Sequence, residues 1–192
     1  MNKFFVLIII LIIAPFLGGI YGILHDQITY TISEEYYSKF KFVQFGLDNW
    51  GLGYNISSTK TPEIKLHNPR IGAAIVGFLS TWWVGLCIGV FLGVVGFIQK
   101  SGKNMFKVVF KSFLFTIAIA FLTGVIGLIY GKLVVVKGNI NWFIPDNLID
   151  IDAFLMVGSM HNFSYLGGVL GLVFGIYYSF KQKVKLNRDT VN

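Results

Sequence analysis

Four long apolar runs decide what this chain can become. The first extends from Phe4 to Leu24 and is interrupted only by Pro15. The second, Ile71 to Ile98, carries no charge. The third, from about Val108 to Tyr130, has Lys111 near its start, and the fourth, from about Ala153 to Phe180, encloses His161. A helix rising 1.5 Å per residue needs about 20 apolar residues to cross a hydrocarbon layer about 30 Å thick. Each run meets that length. The chain is 55% hydrophobic and only 13% charged, where soluble domains carry about 25% charge. The expected fold is an all-α membrane protein, a four-transmembrane-helix bundle forming one domain over residues 1–192. Its spans fall at about 4–24, 71–98, 108–130 and 153–180, with outer loops 25–70 and 131–152 and a cytoplasmic tail 181–192. A signal peptide is the alternative for the first run. That run is longer than a signal core and lacks a small-x-small cleavage site, so an uncleaved helix is expected.

Charge placement gives the orientation. Lys3, Lys100, Lys103, Lys107, Lys111, Lys181, Lys183, Lys185 and Arg188 fall on one side with a single acid, Asp189. The other side holds seven basic residues against eight acidic ones. The two sides therefore carry +8 and −1, which make up the net charge of +7. Basic residues beside span ends stay in the cytoplasm. Both termini and the loop QKSGKNMFK are expected there. The basic tail is accounted for by topology, with anionic lipid headgroups as an additional contact. No nucleic-acid partner is expected. Cys87 is the only cysteine, so no intrachain disulfide can form.

The spans pair by sequence. GGIYGIL (Gly18–Leu24) matches GLIYGKL (Gly127–Leu133) at five of seven positions, and Gly85, Gly89 and Gly93 align with Gly167, Gly171 and Gly175. This reads as one helix–loop–helix unit used twice in tandem, in the same orientation. The alternative is chance similarity between Gly- and aliphatic-rich helices. Glycines four apart line one helix face and let backbones approach closely in lipid. Packing within the bundle is the expected use, and oligomerisation through those faces is the other.

Polar residues gather at one depth. Lys3 to His25 is 22 residues, and His161 to Phe180 is 19, or about 33 and 28 Å of helix. Both histidines therefore reach the outer edge of the hydrocarbon. His25, Asp26, Gln27, Thr29 and Tyr30 come from the first unit, and Ser159, His161, Asn162, Ser164 and Tyr165 from the fourth span. Such groups face lipid only at high cost, so they should turn inward and meet. The expected cluster is His25, Asp26, Gln27, Tyr30, Glu34, Glu35, His161, Asn162 and Tyr165. A structural network is the plain reading. A mouth for a small ligand, lipid or membrane-protein partner is the functional one. No cofactor is required by any motif. If a metal is held, His25 and His161 with a carboxylate (Glu35, or Asp26 or Glu34) suit zinc or iron, and His67 is a further candidate. A haem between the two histidines is a remote option. Ser159 and His161 share a helix, but nothing marks a nucleophile elbow. Whether the protein is an enzyme stays open.

The long outer loop has its own pattern. In TISEEYYSKFKF, Thr31 can cap a helix with Glu34 as its reciprocal partner. Tyr36, Phe40, Val43 and Leu47 then recur at helical spacing, as in a helix lying at the membrane interface. A strand through KFKFVQF is the rival. FGLDNWGLGYN reads as turns, Asn68-Pro69 as the cap and first turn of the second span, and KLVVVK as a short strand. The sequon at Asn55 matters only in a eukaryotic secretory setting.

His25, Asp26, Gln27, Thr29, Tyr30, Ser33, Glu35 and Tyr36 form the pattern His-Asp-Gln-x-Thr-Tyr-x-x-Ser-x-Glu-Tyr, and HNFSYLGG follows at His161–Gly168. Together these resemble an uncharacterised family of bacterial integral membrane proteins. The resemblance covers about a tenth of the chain and implies a bacterial cytoplasmic membrane, with no activity, substrate or cofactor. The reading that follows is a bundle that binds a ligand or partner at its extracytoplasmic mouth. A membrane metalloenzyme using His25 and His161 is the alternative. A transporter component is the third, set against the lack of charge at mid-depth in any span.

Overall fold

The computed structural model describes residues 1–58, 60–138 and 141–188, with side chains as far as Lys183. Asp189 of the charge balance lies outside the described residues, as do the side chains of Lys185 and Arg188. Four helices are long and apolar enough to cross a membrane. They are α1 (Lys3–Ile32), α4 (Pro69–Gly96), α5 (Gly102–Tyr130) and α6 (Ile151–Arg188). Between α1 and α4 lie α2 (Glu34–Tyr36), a π-helical turn (Tyr37–Lys41), α3 (Phe42–Phe45) and the strands β1 (Gly53–Asn55) and β2 (Ile64–Leu66). The protein is a multi-pass membrane protein built as a four-helix bundle with an ordered cap.

Side-chain caps start each span where the chain must supply acceptors for orphan N–H groups. Asn2 accepts from the Phe4 N–H, Asn68 from Ile71 with Pro69 at the first turn, and Ser101 from Asn104. On α1, Ile8, Ile12, Phe16, Ile20, Leu24 and Ile28 are exposed at four-residue spacing and form the face toward lipid. Its opposite face is small. A Cβ added at Gly18 would come within 2.8 Å of the Gly85 Cα, and one at Gly22 would strike the Gly77 backbone. The α1–α4 seam is thus backbone against backbone, tied by Thr81 Oγ1 donating to the Gly18 carbonyl at 2.9 Å. The α5–α6 seam is built likewise, with Gly171 against Thr116 and Ser112 Oγ donating to the Gly175 carbonyl at 3.1 Å.

The tandem units share this seam but not its register. Gly18 lies on Gly85, whereas their counterparts do not meet: Gly127 lies on Ser159 and Phe163, and Gly167 on Ala120 and Thr123. The second pair of helices is slid by more than a turn. The seam glycines pack inside the bundle.

Several boundaries differ from those read in the sequence. α1 does not stop at Leu24 but runs two turns further, because the polar groups beyond it are buried beneath the cap rather than solvated. Thr31 sits inside α1 and donates to the Gln27 carbonyl; the cap of the next helix is Ser33, which accepts from the Tyr36 N–H. Tyr36, Tyr37, Phe42 and Leu47 do not lie on a membrane surface. They form the cap's core with Phe154, Leu155 and Val157 of α6, and no strand forms through KFKFVQF. The KLVVVK segment continues α5 as a π-helical turn, Gly131–Val135, instead of a strand. The β-branched run is overruled by Gly131, which presses on Met156 and Ser159 of α6. The tail region 181–188 is helical, an extension of α6.

The N-terminus and the α4–α5 turn share the end opposite the cap. Lys3 Nζ donates to the Phe97 carbonyl and Gln99 Nε2 to Ser179 on α6. A second core lies there, of Val6, Ile10, Leu92, Met105, Val109 and Phe113.

Candidate functional site

His25 and Asp26 are neighbours on the outer turns of α1, and His161 and Ser164 are three apart on one face of α6. The four side chains meet under the cap, each at most 8% exposed. Asp26 Oδ1 lies 3.2 Å from His25 Nδ1 and 3.3 Å from His161 Nε2. The two rings stand edge to face with centroids 4.7 Å apart. His25 Nε2 contacts Ser164 Oγ at 3.0 Å, and His161 Nδ1 contacts the Val157 carbonyl at 2.9 Å.

These partners constrain the protons. A carbonyl oxygen only accepts, so His161 Nδ1 carries the hydrogen. The neutral ring then presents a lone pair from Nε2 to Asp26 Oδ1, acceptor against acceptor. A proton or another cation held between the two would bridge the nitrogen and the oxygen. The other carboxylate oxygen, Asp26 Oδ2, is buried with no hydrogen-bond partner. The nearby Tyr37 hydroxyl lies 2.6 Å from Thr29 Oγ1, where either group can donate, and it also interacts with the Asp26 carboxylate. A buried ionic oxygen left without a donor costs several kcal/mol, of order 1–3 or more.

The roof is aromatic. Tyr36 stacks on His161 with centroids 5.0 Å apart, and Tyr37 is fully buried beside it. Burial pushes the Tyr36 and Tyr37 hydroxyls well above their ordinary pKa, helped by the charge of Asp26. Lys41 is also buried, its ammonium over the Phe40 and Tyr36 rings at 5.5 and 6.0 Å. Burial lowers the Lys41 pKa, and the charge of Asp26 opposes that shift.

Beneath the cluster is a cavity of about 320 Å³ between the two helix pairs. Val84, Ile88, Phe113, Ile117 and Leu172 make apolar walls; His25, Asp26, His161 and Ser164 close one end. Ser80 Oγ, also on the lining, is buried without a partner.

Of the residues expected to cluster, His25, Asp26 and His161 come together. Tyr165 lines the cavity rim and is 42% exposed. The others are engaged elsewhere. Gln27 exchanges hydrogen bonds with Arg70 on α4, and Arg70 also covers the Tyr30 ring at 4.7 Å. Glu34 and Asn162 are exposed; Asn162 is turned by one residue from the His161–Ser164 face. Glu35 is no metal ligand. It pairs with Lys39 and accepts from the Ile149 and Asp150 N–H groups ahead of α6. Burial raises the Glu35 pKa, but these donors outweigh it and hold the carboxyl below its ordinary range. His67 is exposed near Tyr54. Rings 4.7 Å apart leave no room for a haem between the histidines. The carboxylate that joins them is Asp26. Ser164 and the Tyr36 roof went unselected; the three-residue spacing of Ser164 from His161 was the signal that could have found the serine.

One atom from each of His25, Asp26 and His161 lies within 4.8 Å of the other two, close enough for one metal ion to be held. Ligands of a tetrahedral zinc ion at about 2.0–2.1 Å stand roughly 3.3 Å apart, near the two contacts to Asp26. Searched against protein-family profiles, curated proteins and solved structures, the chain matches none.

Proposed function

We propose that this protein binds a small ligand in the cavity beneath its cap, with the ligand's polar group on the His25–Asp26–His161–Ser164 cluster. The observation that carries the reading is the cavity itself: about 320 Å³ with apolar walls, ending against the side chains of His25, Asp26, His161 and Ser164. Small-molecule sites have this make-up, apolar walls with few convergent polar groups. The test is native mass spectrometry of the protein released from membranes. A bound small molecule present in the wild type and absent from Asp26→Asn and His161→Ala, both folded, is expected. Identical spectra for all three would sink the reading.

The second reading is a metal-dependent enzyme with zinc or iron on His25, Asp26 and His161. It is favoured by the outward nitrogens, which rest on Ser164 and Val157 and leave the inward ones free to ligate. Three protein ligands leave a coordination position open, toward the cavity. Elemental analysis decides it: about one metal per chain, lost in a His25→Ala, His161→Ala double variant, is the expected result. Less than a tenth of an equivalent in protein purified without chelator rejects it.

We assign the protein to the bacterial cytoplasmic membrane with both termini inside, on the charge balance and on the resemblance carried by the His-Asp-Gln and HNFSYLGG motifs. Cysteines at Ser58 and Lys103, both exposed, in a Cys87→Ala background are expected to label from outside only at Ser58. Equal labelling of both in intact cells reverses the assignment.

A further inference from the structure

We propose that the ligand is a single-chain lipid with an uncharged head, which enters from the bilayer through a lateral opening between α4 and α6. The inference rests on the ligand-site reading above. It is drawn from which lining residues are covered and which are not. The back of the cavity belongs to α1 and α5, where Gly18, Thr116 and Ala120 are buried. Its front belongs to α4 and α6, where Trp83 is 50%, Phe91 57% and Val169 61% exposed, and Cys87 is exposed too. The exposed lining residues thus flank one gap.

Depth places that gap in lipid. Phe97 marks the end of the bundle opposite the cap, where Lys3 reaches its carbonyl. Cys87 is ten residues above it, or about 15 Å, half of a layer about 30 Å thick. From the cap side the route is shut, since Tyr36 lies flat on His161 and Tyr37 and Phe42 are fully buried behind it. A molecule reaching the cluster therefore arrives dissolved in the membrane.

The cavity selects the rest of the ligand. At about 320 Å³ it is near the lower limit of small-molecule pockets, roughly 300–1,000 Å³, which suits one chain or ring rather than a two-chain lipid. The exposed lining of the cavity is apolar, so a phosphate head would give up its hydration there with nothing to pair it. An uncharged head avoids that cost. Gly168 lines the same space, and a Cβ added there meets nothing within 4 Å. A larger side chain at Gly168 can therefore enter the cavity without moving the backbone.

The experiment uses the full chain in phosphatidylcholine nanodiscs and three photoreactive probes: a sixteen-carbon alcohol with a mid-chain diazirine, its phosphate monoester, and a short water-soluble diazirine alcohol. Cross-links are mapped by peptide mass spectrometry. The long-chain alcohol is expected to label Trp83, Cys87 and Val169, to be displaced by unlabelled hexadecanol, and to lose at least fivefold in Gly168→Leu and in Cys87→Trp. The phosphate ester should label at least fivefold less. Labelling that spreads equally to Val90 and Val94, which are exposed on α4 outside the cavity, or that persists in both variants, overturns lipid entry. Equal labelling by the phosphate ester overturns the uncharged head. If only the water-soluble alcohol labels Tyr21 and His25 saturably, lipid entry falls and the ligand site stands. If no probe labels saturably, both fall.

Discussion

The two ends of the bundle bury polar groups in different ways. At the termini end, Gln99 donates to Ser179 and Ser112 to Gly175, and the surrounding core is aliphatic and aromatic. These groups are neutral, and each donor ends on a backbone carbonyl. One acceptor, Gln99 Oε1, is left over. At the cap end, two imidazoles crowd one carboxylate oxygen while the other oxygen is buried. Packing accounts for the first arrangement. The second retains an ionisable cluster that packing alone would replace with apolar side chains, since buried ion pairs are rarely the most stable filling of a core.

The largest expected effect tests the frame that holds both ends. Gly22→Leu puts a side chain where the Gly77 backbone already lies. Overpacking of side chains costs about 1–3 kcal/mol, and here no side chain can move aside. Gly22→Leu should give no monodisperse protein in detergent. Recovery of folded protein at wild-type yield would show that the seam yields, and the contacts of Gly18 and Gly85 would lose their significance. Gly89→Leu, which meets only the Ala14 side chain at close range, should be destabilised but recoverable.

Next comes the contrast itself. Asp26→Ala removes the buried carboxylate that both imidazoles face, for which about 3 kcal/mol is expected. Gln99→Ala at the other end removes one neutral hydrogen bond, for about 1 kcal/mol. Thermal unfolding in a mild detergent measures both. Equal losses would abolish the distinction between the two ends.

The depth of this cluster was legible in the sequence, because helix rise is fixed and the charges at span ends mark the membrane boundary. His25 and His161 could be placed at one height from residue counts alone. Their phase was not legible. Whether the His161–Ser164 face or the Asn162–Tyr165 face turns inward depends on how α6 is rotated, which the contacts of Gly167 and Gly171 with α5 decide. Glu35 failed for another reason. Its donors are on residues 149 and 150, far along the chain, and no local pattern announces them. The end of α1 was misplaced because polar residues look like the end of a span, and a cap that buries them is a tertiary fact. The two hydroxyls Thr31 and Ser33 are equivalent caps by composition and differ only in where α1 stops.

A smaller effect separates the ends by pH. The Glu35 pKa is depressed in the folded protein, so the unfolded chain holds that proton more tightly. Stabilisation is therefore complete above the unfolded value, about 4.3, and is lost as pH falls through the folded one. Hydrogen exchange at residues 147–151 should be constant from pH 7 to about 5, after correction for the intrinsic rate, and accelerate below about 4. Glu35→Gln should cost about 1 kcal/mol at pH 7 and remove the acid dependence. The termini end holds no titrating group among Gln99, Ser112 and Ser179, so its amides should show no such transition. Parallel acid loss at both ends would mean that the cap does not open separately.

The smallest effect has the opposite sign, and it compares two adjacent glycines on α6. Gly167 faces α5, and a Cβ there would lie 2.8 Å from the Ala120 Cα and crowd Thr123. Gly168 faces the cavity, with open space around it. Alanine is better than glycine inside a helix by about 1 kcal/mol. At Gly168 nothing offsets that gain, so Gly168→Ala should raise stability by roughly 0.5–1 kcal/mol. At Gly167 the same methyl group must displace backbone, and a net loss of about 1–3 kcal/mol is expected. Denaturation of the two variants under identical detergent conditions gives the comparison directly. If both gain, the α5–α6 seam is looser than its contacts imply. If both lose, the space beside Gly168 is already filled in the folded protein.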